Sequence, residues 1–331
     1  AEIIVLKQMM KKSGIVTVDL EPSLFHNAIL YVTLEPCSHN GKTPPCASAV
    51  TAAEFNKVYI GMKDPFKKVN GRGIKYLKQH GVDVEICRPG SKLEADIHDL
   101  NQPFIKWAET GMPYVIMKSG MTLDGKIATS TKESRWITGE IARRDARLER
   151  SKCDAVLVGC GTVKSDNPEL ATCEKYKNKK FLRVIIDKKL SLNQDSKIFR
   201  DKNVFVACTD LALTANKKRF KNAGIEFRSF GKDDVSIKKL LRYLGTRGVQ
   251  SVFVEGGSGV NGAFHDAAVK DRSLLDRVLF YIAPKLIGGR DSISVIGGTG
   301  IEKLSKAVNL KDFTVDRLGD DLRLEGVINF Y

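Results

Sequence analysis

Two cysteines, Cys37 and Cys46, carry the first chemistry this sequence offers. They bound the loop Ser38-His39-Asn40-Gly41-Lys42-Thr43-Pro44-Pro45, and Thr33-Leu34-Glu35-Pro36 leads into it. Thiolates bind zinc well, and a catalytic zinc site needs three protein ligands and one open position for water, whose pKa falls to about 7 on the metal. A nearby carboxylate then carries the water's proton to a leaving group. The sequence begins Ala1-Glu2, and Glu2 is the carboxylate available for that work. A histidine two residues ahead of Glu2 would be the third ligand, outside the sequence read here. His26 and His39 stand in no comparable spacing to a glutamate, so each reads as solvated. The plain alternative is two unrelated thiols in a proline-rich loop, or a structural metal.

A second stretch, Glu255-Gly256-Gly257-Ser258-Gly259, joins an apolar run, Ser251-Val252-Phe253-Val254, to a predicted helix ending near Lys270. Backbone N–H groups and the dipole at such a helix start favour a bound pyrophosphate, and glycine allows close approach. The spacing is not Gly-x-Gly-x-x-Gly, so a Rossmann assignment has no support.

These residues need a scaffold. Apolar runs at Ala28–Val32, Asn56–Gly61 and Val82–Ile86 predict strands, separated by helices at Ala47–Ala53 and Gly71–His80. A further helix starts at Lys92, with Ser91 and Glu94 at capping-box spacing, and Pro103 is expected to end or kink it. Residues 1 to about 12 read as a buried helix start. Thr110-Gly111-Met112-Pro113 breaks all periodicity and sets a boundary near residue 110. The chain then restarts with strands at Tyr114–Lys118, Ala155–Val158, Arg183–Asp187, Asn203–Ala207, Ile225–Phe230, Ser251–Val254, Arg277–Ile282 and Leu322–Phe330. Helices are expected at Gly139–Ser151 and Val235–Gly245, and a polar loop over Cys160–Cys173. Alternating strands and helices imply an α/β protein with parallel or mixed sheets.

The 331 residues suit two domains, and 42% hydrophobic with 28% charged residues is ordinary globular composition. No apolar run reaches the roughly 18 residues of a membrane span, and Ala1 to Met10 predicts no signal peptide. Seven cysteines, an odd number in mostly apolar surroundings such as Val204–Cys208, point to a reducing, cytoplasmic compartment. The net charge of +15 admits a nucleic-acid partner or a lysine-rich surface with phosphorylated small-molecule ligands. The basic pairs are scattered and lack interleaved aromatics, which favours the second reading.

The run Thr33 to Cys46 closely resembles the pyrimidine deaminase of riboflavin biosynthesis. Nucleic-acid and cytidine deaminases use a shorter Pro-Cys-x-x-Cys spacing, so the long loop sets this chain apart from them. The resemblance implies a cytidine-deaminase-like domain over 1–110, with Cys37 and Cys46 as Zn2+ ligands, Glu2 as proton shuttle, and His39 and Lys42 against the substrate. The family's N-terminal strand and its zinc-ligand histidine are absent from the sequence as given.

The second half resembles the reductase fused to that deaminase in many bacteria. The matching runs are Met117–Lys126, Ser134-Arg135-Trp136-Ile137-Thr138, Gly161–Pro168 and Val254-Glu255-Gly256-Gly257. This implies a dihydrofolate-reductase-like domain over 111–331 that uses NADPH to reduce a ribosylamino group to ribitylamino, after hydrolytic deamination of 2,5-diamino-6-(5-phosphoribosylamino)pyrimidin-4-one. Ring opening gives an imine at C1′, so the site needs a group to protonate or polarise it. Lys118 and Asp166 are the candidates; their plainer readings are a solvated lysine and a turn-forming aspartate. By resemblance Gly120, Trp136, Thr162, Asp166, Gly257, Ser258, Gly259, Val260, Asn261, Gly262 and Ala263 line the NADPH site. Ser134, Arg150, Leu170 and Glu255 would border the substrate. One position departs: Cys173 stands where the family has an arginine suited to gripping phosphate. The implied partner is a phosphoribosylated pyrimidine, with no nucleic acid and no membrane; a homo-oligomer is left open. Two other functions stay in view, a reductase with an inactive first domain and a nucleic-acid binder with a relict metal site.

Overall fold

The computed structural model describes Phe25 and residues 28–39, 44–66 and 69–328. Glu2, His26, Lys42 and the helix expected over the first twelve residues lie outside them. The chain divides into two compact units, Ala1–Thr110 and Gly111–Tyr331.

In the first unit, β1 (Ile29–Leu34), β2 (Lys57–Met62) and β3 (Asp83–Ile86) pair in that order as a parallel sheet. Helices α1 (Cys46–Ala52), α2 (Arg72–Gln79) and α3 (Lys92–Thr110) make the connections. Leu30, Val58 and Ile60 of the strands meet Ala47, Val50, Ile74 and Leu77 of the helices in one core. At the start of α3, Glu94 N–H donates to Ser91 Oγ at 3.2 Å, and the Glu94 carboxylate accepts from Gly90 N–H at 2.7 Å. The expectation for Pro103 is corrected, because α3 runs through it to Thr110. A proline inside a helix removes one backbone bond and costs about 3 kcal/mol. Beyond it Phe104 and Trp107 meet Phe66 edge-on at 5.6 and 5.4 Å, and that apolar packing keeps the last turns helical.

The second unit holds a nine-stranded sheet. Its members are β4 (Tyr114–Thr122), β6 (Ala155–Gly159), β7 (Leu182–Ile186), β8 (Val204–Cys208), β9 (Glu226–Ser229), β10 (Ser251–Val254), β11 (Arg277–Ala283), β13 (Leu310–Leu318) and β14 (Asp321–Ile328). They lie in the order β13-β14-β11-β4-β10-β6-β7-β8-β9, with β5 (Lys126–Ala128) and β12 (Ile293–Ser294) forming a separate ribbon. From β11 to β9 every pairing is parallel, while β14 and β13 add antiparallel strands at one edge. Strands β6, β8 and β10 are buried along their whole length. That is why their sequences are unbroken apolar runs rather than alternating ones. Helices α4 (Glu140–Lys152), α5 (Cys160–Asp166), α6 (Thr214–Asn222), α7 (Ile237–Thr246) and α8 (Ser258–Lys270) connect the strands.

Several features differ from the expectations. The polar loop at Cys160 begins with helix α5, which stops where Asn167 turns left-handed (φ 42°) ahead of Pro168, a C-cap arrangement. Helix α6 and strand β13 were not anticipated; α6 buries Phe220 as its one core residue, and β13 is exposed over most of its length. Strand β4 continues past Lys118 to Thr122, because β11 pairs with it as far as Ala283.

Chain order explains where the site must lie. From β4 the chain crosses to β6 and moves outward through β7, β8 and β9; β10 then returns to fill the gap between β4 and β6. Connections leave β4, β10 and β6 in opposite directions, so their carboxyl ends border the crevice where open α/β sheets bind ligands.

Helix α7 packs closely on the start of this unit: a Cβ on Gly245 would lie 1.8 Å from the Gly111 carbonyl oxygen. Alanine is the better helix former, yet Gly245→Ala is expected to destabilise the protein by about 2 kcal/mol, because backbone must move to admit the methyl group. Urea denaturation measures this, and a stabilised variant would contradict the packing.

Candidate active site

The crevice holds a buried ion triad. Glu255 directly follows β10, and its N–H bonds Leu157 O at 2.9 Å, which fixes the backbone at the strand end. Its carboxylate receives Arg150 Nη1 at 2.9 Å and faces Lys118 Nζ at 3.7 Å. Arg150 comes from α4 and also donates from Nη2 to Ala171 O at 2.7 Å, which places Leu170 next to the triad along the chain. Leu170 is buried with φ 54°, an unfavourable conformation for leucine that bends the segment at that point. The side chains of Glu255 and Arg150 are each 12% exposed and that of Lys118 22%, so the three charges interact in a medium well below the dielectric of water.

Burial alone would raise the Glu255 carboxyl; the Arg150 and Lys118 charges outweigh it and hold the group below its ordinary 4.5. Such a carboxylate contributes stability that is present above its ordinary value and is lost as pH falls through the depressed one.

Around the triad the expected cofactor residues form a cradle. Gly257 and Thr162 approach each other, since a Cβ on Gly257 would sit 3.8 Å from Thr162 Oγ1. A Cβ on Gly256 would meet Val260 at 2.4 Å and Asn261 Oδ1 at 3.1 Å, so only glycine fits that turn into α8. Gly120 lies under Thr138, whose Cγ2 is 3.3 Å from a Cβ built there. Ser134 and Trp136 lie on the stretch between β5 and α4, and Arg135 ties that stretch to Asp166. Its Nη2 donates to the Asp166 carbonyl at 2.9 Å and lies 3.6 Å from the carboxylate. Trp136 is 62% exposed, with the Arg143 guanidinium 4.3 Å from its ring centre.

Not every expected residue faces open space. Asn261 and Gly262 are buried under the segment that follows β12: Asn261 Nδ2 donates to Val295 O at 2.9 Å, and a Cβ on Gly262 would lie 2.4 Å from Gly297. Asn261 Oδ1, buried next to Gly256, has no hydrogen-bond partner among the described residues. Asp166 is bound to Arg135 and to Ser165 Oγ at 3.1 Å, whereas Lys118 belongs to the Glu255 triad. Cys173 N–H donates to Ser151 Oγ at 2.8 Å; the thiol adds no cation where a phosphate grip was expected. Arg135, Tyr281 and Asp145 were not singled out from the sequence. Arg135 lies inside a motif that was read for its neighbours.

In the first unit Cys37 follows β1 and Cys46 opens α1. The Cys46 N–H donates to Cys37 Sγ at 3.3 Å, and Ala47 N–H donates to Cys37 O at 3.0 Å, so the two sulfur-bearing residues are held together. Their anchor is Glu35, 2% exposed, whose carboxylate accepts N–H bonds from Asp64, Gly71, Gly73 and Ile74 at 2.7–3.1 Å. It caps α2 and pulls Pro36 against it; a Cβ on Gly73 would strike Pro36 O at 1.9 Å. His39 is exposed. Among the described residues no group of three His, Cys, Asp or Glu side chains is placed to hold a metal ion. Burial pushes the Cys153 thiol up to about 12 and also raises Cys160 and Cys208; Cys153 and Cys208 are core thiols, and Cys160 is half-buried against the core.

A family model for the RibD C-terminal domain matches residues 113–324, well over half of the chain. The chain belongs to the RibD family of riboflavin biosynthesis proteins. It is 37% identical over 314 residues to riboflavin biosynthesis protein RibD of Bacillus amyloliquefaciens, covering 94% of this chain and 82% of that protein. The solved structure of a diaminohydroxyphosphoribosylaminopyrimidine deaminase/5-amino-6-(5-phosphoribosylamino)uracil reductase from Thermotoga maritima superposes with a TM-score of 0.78 at 30% identity, covering 99% of this chain and 85% of that one. Riboflavin biosynthesis reductase Rib7 of Saccharomyces cerevisiae, at 22% identity and a TM-score of 0.53, shares the fold over 71% of this chain and its own full length. Residues 113–324 thus carry the RibD C-terminal domain, in an α/β fold shared with that yeast protein. Among the described residues no helix is long and apolar enough to cross a membrane.

Removing the carboxylate from the triad leaves Lys118 and Arg150 facing each other without a counter-charge. Glu255→Gln is expected to lose about 3 kcal/mol at pH 7, and the gap to wild type should narrow progressively as pH falls below the ordinary 4.5, as wild type gives up the same contribution. Urea titrations across that range measure it; a gap that stays constant down to pH 3 contradicts the triad's electrostatic role.

Proposed function

We propose that the second unit reduces the ribosylamino group of a phosphoribosylated pyrimidine to ribitylamino with NADPH, and that the first unit performs the preceding zinc-dependent, cytidine-deaminase-like deamination. The observation that carries the reductase reading is the Lys118–Glu255–Arg150 triad at the carboxyl end of β10, directly beside the glycine turn into α8.

The cradle fits NADPH. Gly256 and Gly257 keep side chains out of the turn, and the N–H groups at the start of α8 suit a pyrophosphate. NADPH supplies the hydride for C1′ of the ring-opened sugar. The chain's part is to hold that carbon and control the charge around it. Lys118 lies within β4, one residue past the level at which β10 ends, and its Nζ is able to polarise or protonate the nitrogen or oxygen attached to C1′. Glu255 is its counter-charge and, with Arg150, orients the sugar hydroxyls. Ser134 and Leu170 border the substrate. Asp166, held by Arg135, fixes the wall formed by α5 and Trp136.

For the deaminase step, Cys37 and Cys46 fit two thiolate positions of a zinc site, being held together at the start of α1 by the Cys46 N–H to Cys37 Sγ bond. Zinc bound there would supply an activated water for attack on the amino-bearing ring carbon, with release of ammonia. Glu2 is the proposed proton shuttle, and His39 and Lys42 the proposed substrate contacts.

One set of assays tests both steps. Lys118→Ala should lower kcat for NADPH-dependent reduction at least 100-fold while leaving ammonia release from the diaminopyrimidine unchanged. Cys37→Ser should do the reverse and abolish bound zinc, read by metal quantification. A wild-type chain that binds no zinc and releases no ammonia would leave a reductase alone; full reductase activity in Lys118→Ala would remove the lysine from the mechanism.

A further inference from the structure

The triad leaves Lys118 underdetermined, because Nζ stands 3.7 Å from Glu255, beyond an ordinary hydrogen bond. A single contact of that length on a four-carbon stem does not fix an ammonium. The second contact is aromatic: Lys118 Nζ lies over the Tyr281 ring, 5.9 Å from its centre. Tyr281 lies on β11, in register with Gly120 of β4, two residues past Lys118. The ring is 1% exposed, and its hydroxyl donates to Asp145 Oδ2 at 2.6 Å. Asp145 is held in turn by Arg323 Nη1 at 3.2 Å, and the other Arg323 nitrogen reaches Glu325 at 2.6 Å and Glu149 at 3.8 Å. Asp145, Glu149 and Arg150 all belong to α4. One helix therefore supports both contacts of the lysine, through Arg150 and Glu255 on one side and through Asp145 and Tyr281 on the other.

We infer that Tyr281 and Asp145 are positioning residues for Lys118 in the reductase reaction; the inference rests on the reductase reading above. Tyr281 is not a proton donor to substrate, because its hydroxyl is committed to Asp145. Burial and the neighbouring carboxylate both raise that hydroxyl's pKa. Arg323 belongs to the same chain of contacts one strand further out.

The test is steady-state reduction kinetics on the full chain with the deaminated substrate and NADPH. Tyr281→Phe keeps the ring and removes its tether. It should lower kcat about tenfold through misplacement of Lys118, with KM for NADPH and for the pyrimidine within about twofold of wild type. Asp145→Asn retains an acceptor for the hydroxyl and should recover to within about threefold of wild type, whereas Asp145→Ala should match Tyr281→Phe. A Tyr281→Phe variant with wild-type kcat overturns the inference. So does a loss confined to KM, or an Asp145→Asn variant as impaired as Asp145→Ala. If Asp145→Ala does not fold, the Tyr281→Phe and Asp145→Asn arms decide alone. A wild-type chain with no NADPH-dependent reduction would instead refute the reductase reading itself.

Discussion

The second unit depends on a carboxylate buried between two cations. Glu255 is placed by the last hydrogen bond at the end of β10, and Arg150 and Lys118 converge on it from α4 and β4. Three elements far apart in sequence are held together at one point by charges that none could bury alone. Burial opposes ionisation of Glu255 and the cations restore it. The surroundings follow from that. Helix α4 packs Ala142 and Ala146 against Phe253, Leu279 and Tyr281 of the sheet, and from there it delivers Arg150 to Glu255 and Asp145 to Tyr281. The Ala171 carbonyl that shares Arg150 draws the Leu170 turn toward the same place.

Much of this was legible in the sequence, for identifiable reasons. The central strands are fully buried parallel strands, so their unbroken apolar runs announced them. The glycine turn after Val254 was read as room for a pyrophosphate to approach; in the fold Gly256 is also required for packing, since a Cβ there would strike Val260. What the sequence hid was settled by partners remote along the chain. Pro103 stays helical because Phe66 receives Phe104 and Trp107. Helix α5 looked like a loop because its glycine, threonine and serine are weak helix formers, although Asn167-Pro168 was a usable stop signal. Strand β13 has no buried face to give it a periodic pattern; it is made by hydrogen bonding to β14. The roles of Arg135 and Tyr281 could not be read from spacing, since each depends on a contact across more than thirty residues.

The first unit shows the same logic in a different form. Glu35 reads as part of a loop signature in the sequence, but in the fold it is a buried carboxylate neutralised by backbone N–H groups. It cements the start of α2 to the segment carrying Cys37, and the Cys46 N–H bond to Cys37 Sγ completes the link to α1. The two cysteines are thereby ordered side by side, the arrangement on which the proposed zinc site rests.

The central claim is that the crevice at the end of β10 directs a hydride to C1′ of the sugar. The direct measurement is isotope transfer: reduction with NADPH deuterated at the donor position of the nicotinamide, followed by mass spectrometry and NMR of the product. The account predicts one deuterium per molecule, located at C1′ of the ribityl chain. Product without label, or with label at any other carbon, would contradict it.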